Sequence, residues 1–197
     1  NLAIAPVYRA DGSGTTFNFV YYLSAISPEF MQKVGVDTSV QFPIGLGGKG
    51  NEGVAAFTSR TDGAIGYVEY AYATQNKLTY TMMANKDGVF VEPSIKSFQA
   101  AAANADWTSA PNFRVILANQ PGAESWPITA STWAIVHKKQ DDPAAAKEVL
   151  KFFDYAFKKG AEAAASLDYV PMPANVVALV EAKWSEIQGP DGKTISP

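Results

Sequence analysis

Between Leu2 and Ile26 the chain must convert an apolar, β-rich run into a helix, and it does so through one short polar loop. Leu2–Tyr8 is the apolar run, broken by Pro6, and reads as a strand entering a tight turn. Phe19, Val20, Leu23 and Ile26 then recur at helical spacing. The loop between them is Arg9-Ala10-Asp11-Gly12-Ser13-Gly14-Thr15-Thr16, whose two glycines let the backbone bend sharply. The first N–H groups of a helix have no internal partner and together carry about half a positive charge. Ser13 and Thr15 add hydroxyl donors, Gly14 permits close backbone approach, and Arg9 adds a permanent cation whose fork suits a tetrahedral oxyanion. Two readings fit these residues. One is an anion cradle; the other is an ordinary capped helix with Arg9 paired to Asp11.

The rest of the chain alternates strand-like and helix-like segments, which makes the expected fold class α/β. Val40–Pro43 reads as a short strand leading into the glycine-rich Gly45-Leu46-Gly47-Gly48-Lys49-Gly50. Asn51 is the expected N-cap of a helix from Glu52 to about Arg60, with Val54 and Phe57 inward. Ala64–Tyr72 is aromatic and β-branched enough for a buried strand. Tyr80–Ala84 and Gly88–Glu92 flank a hairpin turn, and Ser94 opens a helix running to about Asn104. Phe113–Leu117 precedes the loop Asn119-Gln120-Pro121-Gly122, and Ile128–His137 is a further expected strand. Asp142 as cap and Pro143 at the first helical position start an amphipathic helix with Val149, Phe152, Phe153 and Ala156 on one face. Lys158 and Lys159 suit its end and Gly160 its stop. Tyr169–Pro173 is extended, a last helix spans Asn175 to about Ile187, and the polar tail Gly189–Pro197 is expected to fray.

Composition removes several function classes. A net charge of −3 with no basic cluster argues against nucleic acid as a partner. The chain has no cysteine and one histidine, which excludes disulfides, thiolate chemistry and a multi-histidine metal centre. No apolar run approaches the length of a membrane span, and the chain begins at Asn1 rather than Met without a basic-then-apolar stretch, as expected of a mature or cut chain.

Other motifs are weaker than they look. Gly45, Gly47 and Gly50 fit a bare dinucleotide pattern with Glu69 near the spacing of a ribose-binding acid, but the short strand and the lysine in the loop fit poorly. It is not a Walker loop, since Gly50 follows Lys49 where Ser or Thr is required. Ser13 lacks the spacing of a nucleophile elbow because Asp11 and Thr15 hold the outer positions, and His137 reads as a solvated strand end. Asp141-Asp142 before Pro143 reads as a cap rather than a metal site. Tyr67, Tyr70 and Tyr72 read as core or cleft lining, with sugar stacking as the alternative.

The segment Arg9–Phe19 resembles the phosphate loop of the periplasmic phosphate-binding proteins of ABC importers. Gly47–Ala55, Ile65–Ala73, Trp126–Thr129 and Leu167–Pro173 are similar to the same family in the same order, across nearly the whole chain. The resemblance implies the two-lobed periplasmic binding protein fold of type II-like architecture. It implies residues 1–120 as the second lobe with the phosphate loop and residues 121–197 as the C-terminal part of the first lobe. Arg9, Ser13, Gly14 and Thr15 would bind inorganic phosphate, and Asp11 would orient Arg9. No catalytic residue, metal or cofactor is implied. The implied partners are phosphate and the permease subunits of an ABC importer, and the implied location is the periplasm, or a lipid-anchored cell surface. Family members begin with further phosphate-contacting segments that do not appear before Asn1, so a second chain or segment is expected to supply them. The alternative is an enzyme, a phosphatase or phosphotransferase, using the same anion loop.

Overall fold

The computed structural model describes residues 2–197; Asn1, where the expected second lobe would begin, lies outside the described residues. Ala5–Arg9 forms β1, followed by α1 (Gly14–Ile26) and α2 (Pro28–Lys33). β2 (Leu46–Gly48), α3 (Gly50–Arg60) and β3 (Ala64–Gly66) complete a three-stranded parallel sheet in the order β2-β1-β3. Val7 pairs with Leu46 on one side and Gly66 on the other, so β1 is the central strand. The crossover through α3 carries the chain from one flank of β1 to the other. The loop after β1 therefore opens at the carboxyl end of the central strand, where α/β sheets place their ligands.

α4 (Tyr70–Gln75) follows the sheet, then a short hairpin of β4 (Met83–Ala84) and β5 (Phe90–Val91), then α5 (Ile95–Asn104). Ser94 caps α5 with a reciprocal capping box to Ser97, as its position before the alanine run implies. α6 (Pro143–Lys159), α7 (Ala161–Ser166) and α8 (Ala174–Lys183) form the C-terminal part. Asp142 accepts from the N–H groups of Ala144 and Ala145 with Pro143 next to it, the cap expected from sequence. One core joins Ala102, Ala105, Trp107, Leu117 and Val176, so α8 packs back on α5; another joins Ala146, Leu150, Ile187 and Ile195.

Several expected elements differ. Ile128–His137 makes one isolated bridge, Ala118 to Ile128, and no strand. A strand needs a neighbour to take its N–H and C=O groups, and beyond Ile128 no bridge to another described segment forms; Ile135 is 95% exposed. The second strand sits at Leu46–Gly48 rather than Val40–Pro43, because the glycine-rich segment is what pairs with β1. Ala64–Tyr72 is strand only to Gly66, after which the chain turns into α4. Lys49, not Asn51, is the N-cap of α3, and Asn51 spends its side chain on Glu69. Phe57 is exposed, and the buried face of α6 carries Ala146 and Leu150 while Val149 and Phe152 face outward. The tail does not fray: Ile195 donates to the Ile187 carbonyl at 2.8 Å and is buried.

β2 and α3 approach so closely that only glycine fits at their contact. A Cβ on Gly48 would sit 2.6 Å from the Val54 nitrogen and 2.7 Å from the Gly53 carbonyl carbon, both backbone atoms that cannot swing aside. Gly48→Ala should lower unfolding free energy by about 1–3 kcal/mol in urea denaturation, the usual range for overpacking. Gly12→Ala, whose Cβ would meet nothing within 4 Å, should be near neutral in the same measurement.

Candidate functional site

Arg9 is the last residue of β1 and Ser13 the N-cap of α1, so the loop between them hangs from two regular elements. Ser13 takes extended backbone, and its hydroxyl oxygen accepts from the N–H of Thr15 at 3.0 Å and of Thr16 at 3.3 Å. Its own N–H donates to the Thr38 carbonyl at 2.8 Å. Ser13 thus keeps only its hydroxyl hydrogen for another acceptor. Thr15, whose N–H is taken by the cap, offers its hydroxyl. Gly14 is exposed, its N–H has no acceptor among the described residues, and a Cβ there would meet nothing within 4 Å.

Arg9 lies with its side chain 10% exposed and forms a bidentate pair with Asp11, Nε to Oδ1 at 2.9 Å and Nη2 to Oδ2 at 2.6 Å. The Gly50 N–H, at the start of α3, donates to the same Oδ1 at 3.0 Å. The guanidinium hydrogen bond, then the Gly50 N–H, hold the Asp11 carboxyl well below the usual carboxylate range. Asp11 in turn raises the Arg9 pKa against the opposing effect of burial. A guanidinium has five N–H donors, and the ones not spent on Asp11 remain for an anion.

The structure brings Arg9, Asp11, Ser13, Gly14 and Thr15 together at one loop, with both of the sequence readings present at once. Ser13 caps the helix and Arg9 pairs with Asp11, yet a set of donors is left over. Sequence reasoning missed Tyr67. Its hydroxyl accepts from the Arg9 N–H at 3.1 Å and lies 2.8 Å from Thr16 Oγ1, while its ring stacks on Phe19 at 4.3 Å. Read as strand interior, Tyr67 carried no such signal; it is in fact the first residue beyond β3.

The competing motifs are otherwise engaged. Gly45 and Gly48 stand against the Pro6 carbonyl and the α3 backbone, Gly50 donates to Asp11, and Glu69 bonds Asn51. Asp142 is a helix cap and His137 is exposed. Among the described residues no group of three or more His, Asp or Glu side chains could hold a metal ion.

The family described as the PBP superfamily domain matches residues 1–159. The phosphate-binding protein PstS of Pasteurella multocida (strain Pm70) is 52% identical over 194 residues, covering 98% of this chain and 56% of the relative. That of Xylella fastidiosa (strain 9a5c) is 51% identical over 179 residues, 91% of this chain and 49% of the relative. The chain spans about half the length of the curated relatives it matches. Among solved structures, a high-affinity periplasmic phosphate-binding protein bound with phosphate superposes with a TM-score of 0.63 at 18% identity, over 99% of this chain and 60% of that one. A human phosphate binding apolipoprotein gives 0.60 at 17%, over 100% and 65%. These distant structures share the α/β fold.

The Arg9–Asp11 pair sets a pH dependence whose sign follows from its cause. Asp11 titrates lower in the folded chain than in the unfolded one, so its stabilisation is complete above the ordinary carboxylate value near 3.8 and is lost as pH falls below it. Asp11→Asn should therefore be less stable than the wild type at pH 5–7. The gap should narrow steadily in thermal unfolding scans taken from about pH 4 downward.

Proposed function

We propose that this chain, which belongs to the PBP superfamily, binds inorganic phosphate between two lobes and delivers it to an ABC-type importer. The observation that carries the reading is the set of leftover donors at the start of α1: the Arg9 guanidinium, the Ser13 and Thr15 hydroxyls and the Gly14 N–H. They lie at the carboxyl end of the central strand beside a helix N-terminus, which favours an anion. Asp11 holds Arg9 and does not touch the ligand in this reading. The similarity to proteins named for phosphate binding supports the choice of phosphate among tetrahedral anions.

In the same reading residues 1–120 are one lobe and residues 121–197 part of the other, with α8 returning across that division to pack on α5. Trp133, Ile135, Phe152 and Tyr155 expose apolar surface that folded proteins ordinarily cover. The proposed cover is the remaining length of a full receptor, on the same or a second polypeptide, which also completes the ligand site. Hinge closure would then bury the anion. The protein works in the periplasm or lipid-anchored at a cell surface; no helix among the described residues is long and apolar enough to cross a membrane. It acts as a receptor in this reading rather than as a phosphatase or phosphotransferase: the carboxylate in the loop, Asp11, is engaged by Arg9 and the Gly50 N–H and makes no bond to Ser13.

Two experiments test this. Arg9→Lys loses the bidentate fork, and a charge-assisted hydrogen bond of roughly 1.5–3 kcal/mol converts to about 10- to 100-fold weaker phosphate binding by calorimetry. Binding within about twofold of the wild type would remove Arg9 from the site. Phosphate binding to this chain alone should be weak and salt-sensitive, because open donors only exchange water for phosphate. Adding the remaining receptor segment should tighten it by at least roughly a hundredfold, about 2.7 kcal/mol. Equal affinity with and without that segment would make the loop the whole receptor and refute the shared site.

A further inference from the structure

The strand that delivers Arg9 has a gap in its ladder at the residue where the loop begins. Hydrogen bonds of β1 alternate sides: Ala5 donates to the Gly63 carbonyl on the β3 flank, and Ala10 to the Gly48 carbonyl on the β2 flank. By that alternation the Arg9 N–H faces the β3 flank. β3 ends at Gly66, so no strand partner continues to that level. The Tyr67 hydroxyl takes the place of the ladder carbonyl, accepting the Arg9 N–H at 3.1 Å.

The same oxygen reaches across the loop to Thr16 Oγ1 at 2.8 Å. Thr16 is in the first turn of α1 and only 1% exposed, so its hydroxyl is not easily rescued by water. The phenol cannot drift. Its ring is stacked on Phe19 with 16° between the planes, and Phe42 is tilted against it at 6.3 Å. The chain beyond it is fixed by the buried Asn51, which donates to Glu69 Oε1 at 3.1 Å and accepts the Glu69 N–H at 3.3 Å. One rigid hydroxyl therefore joins the last residue before the loop to the first helical turn after it.

We propose that Tyr67 is a positioning residue for the phosphate loop, its hydroxyl fixing Arg9 and Thr16 so that the donors between them face one ligand. This rests on the phosphate reading of the loop. A phenylalanine would fill the same stack on Phe19 yet leave both polar partners without a bond. The two flanks could then shift independently, and the donors would diverge before any of them was itself altered.

The test is a titration of this chain with inorganic phosphate, followed by NMR, for the wild type and five variants. Tyr67→Phe should weaken phosphate by about tenfold. Thr16→Val should do the same, Thr16→Ser should restore binding, and Tyr67→Phe with Thr16→Val should lose little more than either alone. Trp107→Phe serves as the stability control, since it loses a buried bond from Nε1 to the Ala102 carbonyl in a separate core. It should lower the thermal midpoint comparably while leaving phosphate affinity unchanged. Tyr67→Phe binding within about twofold of the wild type overturns the proposal, as does an equal loss in Trp107→Phe. Should Tyr67→Phe fail to fold, equal affinities of Thr16→Val and Thr16→Ser overturn it instead. Absence of phosphate binding by the wild type even with the remaining receptor segment added refutes the phosphate reading itself, and this proposal with it.

Discussion

The carboxylate of Asp11 gathers separate pieces of backbone at one point. It binds the side chain at the end of β1 through two bonds to Arg9 and the start of α3 through the Gly50 N–H. An ion pair of this kind adds little to folding by itself, because the cost of removing both charges from water offsets most of their attraction. Its consequence is geometric. With Nε and one Nη2 hydrogen committed, the guanidinium plane cannot rotate, and an arginine side chain that would otherwise sample many rotamers has one orientation. The loop is thereby tied to the sheet on one side and to α3 on the other before any ligand arrives.

The two glycine-rich segments look alike in sequence and differ in what their glycines do. Gly45, Gly48 and Gly53 stand where any Cβ would press on backbone, so they exist to let β2, β1 and α3 approach. Gly12 and Gly14 face open space; a Cβ on either would touch nothing of this chain. A glycine that the fold does not require, placed at a helix N-terminus, is free to admit something else. That contrast separates the candidate binding loop from the structural one, where Gly45 is held against the Pro6 carbonyl and the Gly50 N–H is spent on Asp11.

What was legible in the sequence was local. Ser13, Ser94 and Asp142 act as caps through bonds to residues two or three positions away, and Arg9 meets Asp11 across a single residue, so sequence spacing alone carried them. What was hidden depends on partners distant in the chain. Ile128–His137 has strand-like residues but makes only one bridge, to Ala118, and β2 was set by its register with β1 rather than by its own propensity. The phase of α6 was misjudged because Val149 and Phe152 are as apolar as Leu150, and only packing against Ile187 and Ile195 decides which face turns inward. Tyr67 bonds residues more than fifty positions earlier, which no periodicity encodes.

Most polar groups of the loop are engaged within the chain. The Ser13 oxygen is filled by two N–H groups, the Ser13 N–H is placed on Thr38, the Arg9 N–H on Tyr67, and Asp11 on Arg9 and Gly50. The donors left over are the remaining Arg9 N–H groups, the Ser13 and Thr15 hydroxyls and the Gly14 N–H. Gly14 is exposed, and its N–H can bond to water at nearly the energy it would gain from an anion. Geometry and affinity are then separable properties of such a site. The geometry resides in these residues and their few long-range ties. In the shared-site reading proposed above, the affinity comes from whatever excludes water above them, because each remaining donor strengthens only when the dielectric around it falls. A loop built this way can be rigid and correctly shaped yet bind weakly until it is covered.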